Sequence, residues 1–159
     1  MAGDLYWDDT LAWSEQQAAL LRRVASGERV NDVDWAHVIE EIEDVGKSEQ
    51  RACESLLVKA FEHLLKIRGW PSCEAVPHWR GEVLGLLRGA ARAFSPSMRQ
   101  KIDLASLYEE ARDIVAEDRI DGAPAGPLPP ACPFTLDALL AKRPDLDALL
   151  AKLKGGSSG

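Results

Sequence analysis

Long apolar runs, cysteine and basic charge are all in short supply in this 159-residue chain, and each shortage removes a class of protein. No stretch approaches the ~18 uncharged apolar residues of a bilayer-crossing helix, so no membrane span is expected. The three cysteines, Cys53, Cys73 and Cys132, are odd in number and widely spaced with no CxxC, which argues against both a disulfide framework and a zinc site. They are expected as free thiols. Nineteen Lys and Arg face 26 Asp and Glu, and the net charge of −7 disfavours attraction to a phosphate backbone, so no nucleic-acid partner is expected. Serine-nucleophile elbows, phosphate-cradling glycine loops and HExxH are absent as well, leaving no signature of a hydrolase or nucleotide enzyme. The opening MAGDLYWDDT has neither the basic nor the apolar part of a signal peptide, which points to the cytoplasm.

What is present is helical periodicity. Runs of alternating β-branched residues are missing and apolar residues recur with a period near 3.6, which predicts an all-α fold. About four core helices are expected, one of them long, followed by two short C-terminal helices after a Pro-rich strap. The first helix covers about Asp9 to Ala25, capped by Asp8, Asp9 or Thr10 and anchored by Trp13. The second starts near Asp34 and carries a stripe through Val38, Ile42, Val45, Cys53, Leu56, Ala60, Leu64 and Ile67. Because the stripe keeps its phase across Gly46, one long helix is preferred, with a break at Gly46 as the alternative. A third helix from His78 to Phe94 points Trp79, Val83, Leu86, Leu87, Ala90 and Phe94 to the core. Ser95-Pro96 ends it and starts a fourth, whose apolar face is Met98, Ile102, Ala105, Tyr108, Ala111 and Val115 and which runs until Asp121-Gly122. The segment DGAPAGPLPPACP is too rich in proline for a regular helix and reads as an extended strap. LDALLAK occurs at 136–142 and again at 146–152, with Thr135 and Asp145 placed to cap two short helices. Residues 1–154 are expected to form a single helical domain that needs no cofactor to fold, and 155–159 a flexible tail.

Charge is unevenly placed: residues 28–62 hold ten acids and four bases, and residues 66–101 two acids and seven bases. Adjacent helices that complement one another account for this better than a basic patch for an anionic partner. Two polar residues break the stripe of the second helix. Glu49 lies near its middle and His63 at its edge, so both are expected to be buried. Fourteen residues of helix put them about 21 Å apart, too far to share a metal, and no metal ligand set is expected. His37 with Glu40 and Glu41 turns away from the stripe and reads as a solvated acidic face. On the third helix Gly81, Gly85, Gly89 and Ala93 recur every four residues, edged by Arg88 and Arg92. Such a line either permits close backbone approach by a second copy of the chain, the acidic helix or the strap, or faces water and leaves a weak helix with three interior glycines.

Seven blocks in order resemble the small bacterial proteins of domain of unknown function family 29: YWDDTLAWSEQQAALLR at the start, VIEEIEDVGKSEQR at 38–51, EHLLK at 62–66, HWR at 78–80, SPSMR at 95–99, LYEEAR at 107–112 and CPFTLDALL at 132–140. The resemblance covers about residues 6–140. Its motif positions fall here on Trp13, Glu40, Glu41, Glu43, Gly46, Ser48, Glu49, His63, Lys66, Trp79, Tyr108, Arg112, Cys132, Pro133 and Thr135, and the glycine line of the third helix departs from the pattern. The resemblance implies a helical, bacterial protein and supplies no activity. With no catalytic set found, the balance favours a non-enzymatic protein-interaction module. The alternative is an enzyme or metal-binding bundle in which Glu49, His63, Tyr108 and Arg112 surround one pocket.

Overall fold

Asp9 ends one helix and begins the next. In the computed structural model, which describes residues 2–155, α1 (Ala2–Asp8) stops where Asp9 leaves helical geometry, and the Asp9 carboxylate accepts the Ala12 backbone N–H at 3.0 Å to cap α2 (Thr10–Ala25). The short α1 lies ahead of the expected first helix and was not anticipated. α2 buries Trp13 and Gln17, and ends at Ser26-Gly27, where Gly27 takes φ +93°, a conformation L side chains rarely adopt. α3 (Trp35–Gly69) then runs unbroken for 35 residues, so the alternative of a break at Gly46 is not realised.

The chain divides into two compact units, residues 1–48 and 49–159. In the first, Tyr6, Trp13, Val33 and Val38 form a small apolar core with Leu20, Leu21 and Val24 packed around it. In the second, the later turns of α3 bury Cys53, Leu57, Ala60, Phe61 and Leu64 completely against α4 (Val76–Ala93), through Val83, Leu87 and Ala90, and α5 (Leu104–Glu117), through Tyr108, Ala111 and Val115. Burying one large apolar side chain contributes about 1.5–3 kcal/mol. All the largest fully buried side chains lie in the second unit, so hydrophobic burial is concentrated there.

The fourth helix starts later and ends earlier than its apolar pattern suggests. Pro96–Gln100 forms a 3-10 turn that buries Met98, and the α-helix begins only after Asp103, whose carboxylate accepts the Ser106 backbone N–H at 3.3 Å. A capping aspartate needs extended backbone, and Asp103 takes φ −98°, ψ 94°, so the helix cannot pass through it. Ala105, on the expected apolar face, is exposed. At the other end α5 stops at Glu117 and a two-stranded hairpin follows, β1 (Arg119–Ile120) and β2 (Ala123–Pro124), joined by Asp121 and Gly122 at φ 51° and 77°. Two positive φ angles in an Asp-Gly pair are the signature of a tight hairpin turn.

The Pro-rich strap is held at four points. The Gly126 backbone N–H donates to the Gly69 carbonyl at 2.8 Å, and the Trp70 Nε1–H to the Ala123 carbonyl at 3.2 Å. Tyr108 donates its hydroxyl to the Pro129 carbonyl at 2.7 Å, and Phe134 stacks on Phe61 with centroids 5.6 Å apart. Beyond it, Thr135 caps α6 (Leu136–Leu139) and Asp145 caps α7 (Leu146–Lys154). The two LDALLAK copies therefore form helices of four and nine residues. Pro144 disfavours helical geometry at Arg143, so the first copy cannot run on into the second. The C-terminal tail expected to be flexible lies, from residue 156 on, outside the described residues.

Candidate functional site

Of the four polar residues expected to share a pocket, Tyr108 and Arg112 are neighbours one turn apart on α5, whereas Glu49 and His63 have other surroundings. Glu49 is exposed rather than buried, because the stripe it interrupts has no cover at that point: Val45 and Ile42, about one and two turns earlier, are each 67% exposed. His63 is half-buried, and its charge environment is set by Lys66 on its own helix and by Glu82 and His78 of α4. Tyr108 meets the opposite side of α3, ring to ring with Phe61 at 5.8 Å. Phe61 and His63 are two residues apart, about 200° around the helix, so His63 and Tyr108 face different neighbours.

Each group's surroundings limit its chemistry. Burial, followed by the cation of Lys66, holds the His63 imidazole below its usual pKa of 6.5, and its Nδ1 is buried with no hydrogen-bond partner among the described residues. Tyr108 is fully buried and pushed up to about 12, chiefly by burial and then by the adjacent Cys132 thiol. With its hydroxyl committed to the Pro129 carbonyl, it is a strap anchor rather than an acid or base near neutral pH. Arg112, one turn beyond Tyr108, is half-buried with Nε unpartnered among the described residues.

An open groove of about 470 Å³ runs between α3 and α5 in the second unit, lined by Arg51, Glu54, Lys59, Glu62 and Glu110 with apolar Val58 and Ile114. None of the four expected residues lines it. Its charges are mixed and it holds no serine-histidine or cysteine-histidine pair. No group of three or more His, Cys, Asp and Glu side chains able to hold a metal ion occurs among the described residues. The three cysteines are free, and burial raises the thiol pKa of Cys53 and Cys132.

His37 was expected on a solvated acidic face, and the structure corrects that placement. It belongs to a polar-aromatic cluster in the first unit. Asp34 Oδ2 accepts from His37 Nδ1 at 2.7 Å and from Trp13 Nε1 at 3.0 Å, and the Asp34 backbone N–H donates to buried Gln17 at 2.8 Å. These bonds, that from His37 first, hold the Asp34 carboxyl below the usual carboxylate range. Tyr6 stacks on His37 and donates to Glu41, and the bond to Glu41 is the main reason its pKa is pushed up to about 12. The cluster ties α1 and α2 to the start of α3. Its sequence signal was the Asp34–His37 spacing of three, one turn of helix, but Trp13 and Tyr6 join it over long sequence separations that periodicity does not report.

The glycine line of α4 is open over most of its length. A Cβ at Gly81 or Gly85 would meet nothing within 4 Å, and only Gly89 is packed, 3.2 Å from Leu56. Of the two alternatives, close packing within the chain is met at Gly89, and Gly81 and Gly85 are open. Arg88 and Arg92 are exposed.

The surface feature that sequence reasoning did not isolate is on α3 in the first unit. Trp35, Ile39, Ile42 and Val45 are 50%, 53%, 67% and 67% exposed. At about 100° per residue they fall within roughly 120° of one another, forming one apolar stripe with Gly46 inside it. Apolar periodicity alone reads the stripe as core. Trp7 and Leu11 are also exposed, but Trp7 lies edge-on to His37, about 200° around α3 from Trp35, and forms a separate patch.

Comparison with known proteins gives the family and the helical fold. The family model described as "Domain of unknown function DUF29" matches residues 5–143. A crystal structure of an alpha-helical protein of unknown function from Rhodospirillum rubrum is 30% identical, with a TM-score of 0.68, over 93% of this chain and 96% of that one. No curated protein matches the chain. Among the described residues no helix is long and apolar enough to cross a membrane.

Proposed function

The chain belongs to the DUF29 family of domains of unknown function, and we propose that it is a non-enzymatic protein-interaction module that binds its partner through the first turns of α3. The observation that carries this reading is the row Trp35, Ile39, Ile42 and Val45, four large apolar side chains at least half exposed on one face of α3. Exposed apolar surface costs solubility, and a contiguous patch marks an interaction site more often than single scattered residues do. The exposure of Glu49, and the different sides of α3 that His63 and Tyr108 meet, lend less support to the alternative of one catalytic or metal-binding pocket. Three free thiols and a bacterial relative of the same fold favour a bacterial cytoplasm as its place of work.

Site-specific photo-crosslinking in the native host tests the reading. A photoreactive residue at Ile42 is expected to give discrete protein adducts, and the same residue at exposed Lys142 none. Full expression with no discrete adduct from either Ile39 or Ile42 would contradict it.

A further inference from the structure

Charge divides between the two units more sharply than the sequence average suggests. Residues 1–48 carry eleven acidic and four basic side chains, and residues 49–159 carry fifteen of each, so the whole net charge of −7 belongs to the first unit. The apolar stripe is in that unit. On α3 itself Glu43 and Glu40 are exposed along one border of the stripe, with Lys47 beside them, and Glu41, hydrogen-bonded to Tyr6, lies beyond the other border. Inside the stripe Gly46 has nothing within 4 Å of where a Cβ would stand, so an approaching backbone meets no side chain there.

We infer that the occupant of this face is a basic amphipathic helix of a partner protein, an apolar stripe flanked by lysine or arginine. The inference rests on the interaction-module reading and adds the chemistry of the partner. The stripe runs along one helix for about three turns, and the surface that matches a single convex helix ridge is another helix, packed ridge into groove at about 8–10 Å between axes. Its rim must be cationic, because like charges facing each other across an interface oppose binding. A second copy of this chain docked by the same face would bring two units of net −7 together, and an anionic membrane or nucleic acid meets the same repulsion.

Three synthetic helices of about 18 residues, titrated into the full chain by calorimetry and by amide chemical shifts, decide the matter. The first has a leucine stripe flanked by lysine, the second the same stripe flanked by glutamate, and the third the composition of the first with the stripe scrambled. The first is expected to bind one-to-one and about tenfold or more tighter than the others, with shifts centred on residues 35–46. Ile39→Asp with Ile42→Asp is expected to weaken it at least about tenfold, and Ile42→Ser serves as a milder second variant, each verified as folded by circular dichroism. Equal binding of the glutamate helix, or of the scrambled one, overturns the inference. So does concentration-dependent self-association that Ile42→Asp abolishes, which would assign the face to a second copy. If crosslinking at Ile42 yields adducts while the helices bind alike, this inference fails and the module reading stands; if crosslinking yields none, the reading itself fails.

Discussion

Tyr6 lies face to face with His37, ring centroids 3.9 Å apart and planes 18° from parallel, while its hydroxyl reaches Glu41 one turn further along α3 at 2.7 Å. Among the described residues the core of the first unit has four buried apolar side chains, so this stack and the bonds that converge on Asp34 carry a larger share of its cohesion than hydrogen bonds usually do.

Acid should release that cluster. The Asp34 carboxyl is held below its ordinary value of 3.8 by His37 and Trp13. A depressed carboxylate contributes stability that is present above its unfolded pKa and lost as pH falls through the lower folded value. Asp34→Asn should therefore be less stable than the parent above about pH 4.5, with the gap closing as pH falls below 3.8. Denaturant melts between pH 2.5 and 6 measure the gap, and a gap independent of pH would contradict the assignment.

His63 should impose a second pH dependence at higher pH. Its imidazole is depressed below 6.5 by burial, so the unfolded chain takes up a proton more readily than the folded one. Stability is then full above pH 6.5 and declines as pH falls from there towards the lower folded value. His63→Gln should remove the part of the slope between pH 7.5 and 5.5 that this side chain causes, and an unchanged slope would show that other groups produce it.

Two glycine substitutions should act with opposite sign. A Cβ at Gly69 would stand 2.8 Å from the Ala125 Cβ, where the strap crosses, so Gly69→Ala should cost about 1–3 kcal/mol. Gly85 faces open space within α4, and Gly85→Ala should stabilise by about 0.5–1 kcal/mol by removing a poor helix former. Urea melts of both variants test the pair. A loss at Gly85 that grows on dilution would instead place a second copy on the glycine line.

Tyr108→Phe keeps the ring against Phe61 and Phe134 but leaves the buried Pro129 carbonyl without its donor. A buried acceptor stripped of its bond costs about 1–3 kcal/mol. Faster proteolysis within 124–134 should accompany the loss in melting stability. A neutral substitution would mean that the strap is held without this bond.

Helix positions were largely legible because burial follows a 3.6-residue period. Asp9, Thr135 and Asp145 cap helices, and Trp13, Trp79, Val83, Leu87 and Tyr108 are buried where the pattern places them. What the pattern does not encode is which part of a stripe has a cover. Val38 and Leu64 are buried, yet Ile42 and Val45, in continuous phase between them, face solvent. Glu49, in phase with the stripe, is exposed, and its charge marks the uncovered stretch. The start of α5 was missed because Asp103 interrupts an apolar face that stays in register on both sides. The Tyr6–His37–Asp34–Trp13 cluster was missed because its bonds span up to 35 residues.

The most direct test of the central claim compares proteins recovered with the parent chain and with an Ile39→Asp, Ile42→Asp variant, by quantitative affinity purification from the native host. Both side chains are more than half exposed, so the variant should melt as the parent does while losing a defined partner recovered with the parent. A variant that keeps every partner at parental yield, or that unfolds because those residues were holding the fold, would contradict the account.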